Sequence, residues 1–202
     1  MATFYNQATL SYNGNTTTSN ITTGELVEVL SATKTAVQTE YQQDDTLTYV
    51  VNILNSGNTT MTGVTISDNL GAYTLNTLTL VPMDYVVGTV RYYVGGVLQP
   101  TPTVTAGPPL TISGLSVPAK GNVTVIYQAK TNDYAPLAQE SSITNTATIN
   151  ANNIANPITA SATVNAYSKP VLRISKSLTP TTVSENGQLT YTFILSLIHI
   201  SE

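Results

Sequence analysis

The chain contains no cysteine and no tryptophan, and its only histidine is His199. Without cysteine there is no disulfide, no thiolate metal site and no cysteine nucleophile. Charge is scarce: Asp, Glu, Lys and Arg make up 9% of the residues, and the net charge is −4. The seven basic residues are scattered singly, whereas phosphate neutralisation needs clustered Lys and Arg, so nucleic acid is not an expected partner. No apolar run approaches the roughly 20 residues of a membrane-spanning helix, and no membrane insertion is expected of this segment. No phosphate loop is present, and few stretches carry a helical period. Ala2-Thr3-Phe4-Tyr5-Asn6, after Met1, has neither the basic start nor the apolar core of a secretion signal.

What is abundant is Thr, Asn, Val and Tyr, the composition of strands with polar outward faces. The chain also repeats itself. Val29-Leu30-Ser31-Ala32-Thr33-Lys34-Thr35 returns as Val171-Leu172-Arg173-Ile174-Ser175-Lys176-Ser177, and Leu47-Thr48-Tyr49 returns as Leu189-Thr190-Tyr191, both 142 residues later. Asn6-Gln7-Ala8-Thr9-Leu10 returns as Asn145-Thr146-Ala147-Thr148-Ile149 after 139 residues, a difference that a hairpin of variable length accounts for. A period this long is a whole domain in an array, well beyond the roughly 20–50 residues of a solenoid unit. Residues 1–28 are expected to be the closing strands of one repeat, residues 29–168 a complete repeat, and residues 169–194 the opening strands of another. The last eight residues, 195–202, depart from the repeat and read like the translation of a transposon-end sequencing adapter. They are expected to be non-native, and His199 inside them is assigned no function.

Within residues 1–28, Ala8–Tyr12 and Thr17–Thr23 flank Asn13-Gly14-Asn15, a hairpin turn whose residues accept φ > 0. In the complete repeat, strands are expected at Leu30–Ala36, Thr46–Leu54, Gly63–Asp68, Thr89–Val94, Leu110–Ser113, Val123–Lys130, Ile143–Asn150 and Pro157–Val164. Asn55-Ser56-Gly57-Asn58 and Pro118-Ala119-Lys120-Gly121-Asn122 are turns. Gly95-Gly96 joins Arg91–Val94 to Val97–Leu98, and Pro100–Pro109, with four prolines, is a loop. Many short strands separated by turns suggest an antiparallel β-sandwich.

Alternation of side chains along a strand sorts residues onto faces. Leu30, Ala32 and Lys34 share one face, opposite Ser31, Thr33 and Thr35. Lys176 falls on the apolar face in the second copy. Ile143, Asn145, Ala147 and Ile149 share a face, as do Phe4, Asn6, Ala8 and Leu10 in the earlier copy. Val64, Ile66 and Asp68 also share a face. A lysine, an asparagine and an aspartate are therefore each expected to point inward, where an unpaired polar group is costly. One solution is chemistry. Burial lowers the lysine pKa and frees an amine nucleophile, and a carboxyl kept protonated polarises the asparagine carbonyl. Attack with loss of ammonia then joins Lys34 to Asn145, with Asp68 as the acid. Asp45 and Glu140 are the other acid candidates. The alternative is structural: the lysine snorkels, the asparagine bonds to backbone at a bulge, and Asp68 caps the turn Asp68-Asn69-Leu70-Gly71.

Other signals are weaker. Asp44-Asp45 lacks the spaced oxygen ligands of a calcium loop and reads as a solvated loop; no metal or cofactor is expected. Tyr41, Tyr73, Tyr85, Tyr92, Tyr93 and Tyr127 are either a binding face or half-buried strand tyrosines. The sequons at Asn15, Asn20, Asn58 and Asn122 are expected by chance in a chain this rich in Asn and Thr.

The run Lys34-Thr35, Asp45-Thr46-Leu47-Thr48-Tyr49-Val50-Val51, Asn55-Ser56-Gly57-Asn58-Thr59-Thr60 and Val64-Thr65-Ile66-Ser67-Asp68-Asn69-Leu70 resembles a conserved tandem repeat of bacterial surface proteins, the family termed domain of unknown function eleven. So do Val117-Pro118-Ala119-Lys120-Gly121-Asn122-Val123-Thr124-Val125-Ile126-Tyr127 and Ile143-Thr144-Asn145-Thr146-Ala147-Thr148. The resemblance covers residues 29–168 fully and both flanks in part. It implies an immunoglobulin-like β-sandwich repeated in extracellular stalks. Related surface and pilin modules carry Lys–Asn isopeptide bonds, and Lys34 and Asn145 match their first-strand and late-strand places.

The expected function is a non-enzymatic stalk or adhesin module on a Gram-positive cell wall, whose partners are neighbouring repeats of the same chain. One alternative is a filament subunit whose residues 1–28 complete another copy by strand donation. Another is a sugar- or protein-binding module using Pro100–Pro109 with Tyr92 and Tyr93.

Overall fold

The computed structural model describes residues 2–26, 29–152, 154, 156–167 and 169–200. Every regular element among them is a β-strand. The first four are β1 (Ala2–Asn6), β2 (Thr9–Tyr12), β3 (Asn15–Thr18) and β4 (Thr22–Leu26). Then follow β5 (Leu30–Ala36), β6 (Glu40–Tyr41), β7 (Thr46–Asn55), β8 (Met61–Asp68), β9 (Tyr73–Leu75), β10 (Leu78–Leu80) and β11 (Met83–Tyr85). The middle of the chain gives β12 (Arg91–Val94), β13 (Val97–Leu98), β14 (Thr103–Thr105), β15 (Leu110–Val117) and β16 (Asn122–Thr131). The last are β17 (Ser142–Asn150), β18 (Ile158–Ala166), β19 (Lys169–Thr179) and β20 (Thr190–Ile200).

Strands β5 to β18 build two sheets. One runs β13-β12-β16-β7-β5, with β11 also paired to β16. The other runs β14-β15-β8-β17-β18-β6. Pairing is antiparallel except where β18 meets β6. The long strands bury every second residue: Leu47, Tyr49, Val51 and Ile53 on β7, Val123, Val125, Tyr127 and Ala129 on β16, and Ile143, Asn145, Ala147 and Ile149 on β17. Their outward partners are mainly Thr, Asn and Gln. This period of two is what a sheet with one covered face demands. The inward sets of the two sheets meet in one core, giving an all-β, immunoglobulin-like sandwich.

The flanking strands form two-stranded units: β1 with β4, β2 with β3, and β19 with β20. Asn13 and Gly14 hold the β2–β3 turn at φ 47° and 79°. Apolar residues in these units lie open, among them Phe4 (60% exposed), Leu10 (66%), Ile174 (67%) and Phe193 (54%).

Several expectations need correction. The strand expected at Leu110–Ser113 continues to Val117, because Gly114, at φ 83°, sits in a register shift against β8 and does not end the strand. That is a bulge, a place where glycine is favoured inside a strand. The proline-flanked loop holds β14, whose Thr103-Val104-Thr105 adds an edge to β15; Pro is tolerated beside an edge strand. The stretch Thr17–Thr23 divides into β3 and β4, because Ser19 turns aside to accept the Ala8 N–H on its Oγ at 2.9 Å. β20 runs through Leu195–Ile200 opposite β19. Ser201 and Glu202 of the expected tail, like Val27, Glu28 and Ser168 at the expected boundaries, lie outside the described residues.

Candidate functional site

Strand β5 alternates so that Ser31, Thr33 and Thr35 face out and Leu30 and Lys34 face in. The Lys34 side chain is fully buried, and its Nζ lies 2.5 Å from Asp68 Oδ2. Asp68, the last residue of β8, is also fully buried. Its Oδ2 accepts from both Lys34 Nζ and Tyr127 Oη, and its Oδ1 accepts the Leu70 N–H at 2.9 Å. Asp68 lies opposite Ala147 on β17, two residues from Asn145 and on the same inward face.

Asn145 is fully buried, and its Oδ1 accepts the Gly71 N–H at 3.2 Å. Its Nδ2 has no hydrogen-bond partner among the described residues. A buried amide nitrogen without a partner costs about 1–3 kcal/mol, and the groups placed to offset that cost are the Tyr49 and Tyr127 phenols, whose ionised forms Asn145 favours.

Two tyrosines wall the site. Tyr49 on β7 and Tyr127 on β16 face each other in register and stack with ring centroids 5.8 Å apart. Lys34 Nζ stands 4.9 Å from the Tyr49 centroid and 5.9 Å from that of Tyr127. The rings favour the ammonium, as does Asp68, but burial outweighs them and brings the Lys34 pKa from 10.5 down to about 8. Burial, reinforced by the Asp68 charge, pushes both phenols well up from their ordinary range. The site is thus a buried chamber holding an amine of reduced basicity, a carboxyl group and a primary amide.

The structure brings Lys34, Asp68 and Asn145 into one buried cluster, and Lys34 does not snorkel. Asp68 does two jobs: it pairs with the lysine through one oxygen and caps the turn through the other. The other acid candidates lie elsewhere. Asp45 is exposed and accepts the Gln42 N–H at 2.7 Å, and Glu140 is exposed at φ 64°. Asn6 and Lys176 are both exposed. Lys176 nonetheless repeats the local arrangement of Lys34, with its Nζ 4.2 Å from the Tyr191 centroid, and Tyr191 is the repeat counterpart of Tyr49. Tyr49 and Tyr127 are the residues that face-sorting overlooked as site members. Their alternation with Leu47, Val51, Val125 and Ala129 was the available signal.

Of the tyrosines weighed as a binding face, Tyr41, Tyr92 and Tyr127 are buried and Tyr73, Tyr85 and Tyr93 half-buried. The Tyr92 phenol is used internally, donating to Ser116 O at 2.8 Å and accepting the Ser116 N–H at 3.1 Å. Asp44, exposed, pairs with Lys130 at 2.7 Å.

No protein-family model and no curated protein matches the chain. Among solved structures, it is similar to BcpA, the major pilin subunit of Bacillus cereus, with TM-score 0.52 and 12% identity over 95% of this chain and 63% of that one. It is similar also to the full-length major pilin SpaD from Corynebacterium diphtheriae, with TM-score 0.51 and 14% identity over 71% of this chain and 36% of that one. The pilus backbone protein RrgB of Streptococcus pneumoniae aligns with TM-score 0.49 and 16% identity over 63% of this chain, which spans 32% of that protein. The chain therefore covers less than two thirds of each, and at these identities its likeness to BcpA and SpaD is one of fold.

Proposed function

We propose that this chain is a piece of a bacterial surface stalk, and that residues 29–168 are one structural bead closed by a Lys34–Asn145 isopeptide bond. The observation that carries the reading is the buried cluster itself. A lysine, a carboxylate and an amide with an unpartnered nitrogen share an apolar chamber, where no stability argument alone favours them.

The chemistry balances without a cofactor. One proton moves from Lys34 Nζ to Asp68 Oδ2. The freed amine attacks Asn145 Cγ, forming the new C–N bond. The tetrahedral carbon collapses, the Cγ–Nδ2 bond breaks, and Nδ2 leaves as ammonia after taking one of the two protons released by Nζ, relayed through Asp68; the other stays on the Asp68 carboxyl. The fold supplies orientation and dryness, which are worth most to a step between fixed groups. The reaction runs once per chain, so the protein is no turnover catalyst.

The fold likeness to pilins and the scarcity of charge suit an extracellular structural role, with neighbouring repeats of the same chain as the first partners. A second reading, strand donation between copies, is favoured by the open apolar residues of β1–β4 and β19–β20. Concentration-dependent oligomers that vanish on deleting residues 1–28 would support it, and a persistent monomer would remove it.

The test of the main reading is the intact mass of the 202-residue chain beside its Lys34→Ala variant. We expect the native chain to be one ammonia light and the variant to have full mass. An Asn-Gly succinimide at Asn13 or Asn186 would give the same deficit, but it would persist in the variant. Full mass in both would leave the fold and take away the bond.

A further inference from the structure

Resting on the cross-link just proposed, we infer that the Gly71 backbone N–H is its oxyanion donor, and that the turn Asn69–Ala72 exists to aim it at Asn145 Oδ1.

The turn is built at a local cost. Leu70 and Gly71 both have positive φ, 52° and 75°, and Ala72 N donates to Asn69 O at 3.0 Å. Two positive φ values at the central positions belong to a type I′ turn, where Asn and Gly are at home and leucine is not. A left-handed leucine is disfavoured by the approach of its Cβ to the following carbonyl oxygen, and strain of this kind collects at functional sites. The turn is nevertheless held firmly. Asp68 Oδ1 takes the Leu70 N–H at 2.9 Å, and Asn69 Oδ1 takes the Gly71 N–H at 3.0 Å and the Thr146 N–H at 2.9 Å. Asn69 N donates to Thr146 O at 3.0 Å, fixing the turn against β17.

The result is a pair of consecutive N–H groups directed at the two reacting side chains. Leu70 N–H holds the carboxylate that takes the proton. Gly71 N–H holds the amide oxygen, where negative charge develops once Nζ adds to Cγ. Its hydrogen bond is divided in the ground state between Asn69 Oδ1 and Asn145 Oδ1, the latter at 3.2 Å. It can shift toward Asn145 as that oxygen becomes anionic, a gain made only in the transition state. Asp68 Oδ2, on which Lys34 and Tyr127 converge, takes no bond from the turn and is the oxygen in line to receive the Lys34 proton. Position 71 also excludes any larger residue, since a Cβ there would lie 2.5 Å from Ile143 Cγ2.

The decisive experiment removes that N–H, and a second ester in the same turn accounts for the turn bond lost with it. The full chain is made by cell-free translation with glycolic acid in place of Gly71, so that an ester replaces that one amide. Samples are quenched in guanidinium at intervals and weighed. The control carries lactic acid in place of Ala72, which deletes the hydrogen bond to Asn69 O in the same turn but touches neither reacting side chain. Both esters are also melted in a Lys34→Ala background to compare their structural cost. We expect the Gly71 ester to lose ammonia about 10- to 100-fold more slowly than the native chain, the lower part of the range for one oxyanion donor, and the Ala72 ester to stay within about threefold, since no transition-state contact is lost. Equal rates for the two esters would overturn the assignment while leaving the cross-link intact. A native chain at full mass would overturn both.

Discussion

At Lys34, burial and charge pull in opposite directions, and the outcome can be read by titration. Asp68 and the tyrosine rings favour the ammonium, burial disfavours it, and the pKa falls to about 8. The reactive arrangement, neutral amine beside protonated carboxyl, has the same number of protons as the ion pair, so the proton that Lys34 loses to solvent near its pKa of about 8 is the one the two groups must share to react. The cross-linking rate is therefore expected to be level up to about pH 8 and to fall about tenfold per unit above it, as the shared proton is lost. Quenched mass measurements across buffers spanning that value would show it; a rate that climbs through the same range would deprive Asp68 of its role as acid. The unreacted Asn145→Ala variant gives a second check. A lysine pKa of 10.5 unfolded and about 8 folded means that the unfolded chain binds more protons between those values, so stability should rise with pH from about 8. Above 10 the raised pKa values of Tyr49 and Tyr127 oppose the rise. Asp68→Ala should abolish ammonia loss and, when added to the Asn145→Ala chain so that neither protein of the comparison is cross-linked, lower stability by about 3–5 kcal/mol in chemical denaturation by leaving the buried lysine unpaired. Much of this site was legible in the sequence, because Lys34, Asp68 and Asn145 each break an otherwise apolar face. The turn geometry at Leu70 and Gly71 was not, since leucine gives no sign of a left-handed backbone.

The elements were legible wherever a strand is long and covered on one side. β5 is bounded as its alternation predicts, and β7 and β16 differ from expectation only at their ends. Elements set by pairing rather than pattern escaped notice: β6, β9, β10, β11 and β14 are two or three residues long and too short to show a period. Gly114 misled for a related reason, because a bulge glycine and a strand-ending glycine look alike until the partner strand is known. Asn55 shows how a turn read from its residues can be more than a turn. It is fully buried at the end of β7. Its Nδ2 donates to Thr59 O at 2.8 Å, Pro118 O at 3.0 Å and Val117 O at 3.2 Å, and its Oδ1 accepts the Gly57 N–H at 2.9 Å. The side chain thus ties the β7–β8 connection to the end of β15 and the start of the next turn. Asn55→Ala strands these backbone groups and should cost about 2–4 kcal/mol. The check is the denaturation midpoint of the variant in a Lys34→Ala background; a change below about 0.5 kcal/mol, the ordinary surface value, would mean that water replaces the amide.

Across the whole sandwich, the proposed bond joins the first strand to the next-to-last, and that placement determines what a pulling force can reach. Tension entering at β5 would cross from Lys34 to Asn145 and bypass everything between them. It would continue through the connection after β17 into β18, which is held by antiparallel pairing to β17 and parallel pairing to β6. Only the residues outside the closed loop can then lengthen. The chain lacks cysteine, so Ser31→Cys and Tyr167→Cys, both at exposed positions, give unique handles. Between them the cross-linked chain can release about 25 residues, or ~85 Å at full extension, and the Asn145→Ala chain about 136 residues, or ~470 Å. Closing a loop of roughly 110 residues should also raise unfolding stability by about 4–5 kcal/mol, on the scale known for disulfides. Single-molecule extension of the two proteins separates the possibilities. Short steps in the native chain and long steps in the variant would make the module a bead of limited extension, in which the residues between Lys34 and Asn145 are shielded from the load. Long steps in both would mean that the sandwich bears force by hydrogen bonds and packing alone, and that the buried lysine serves the core rather than the stalk.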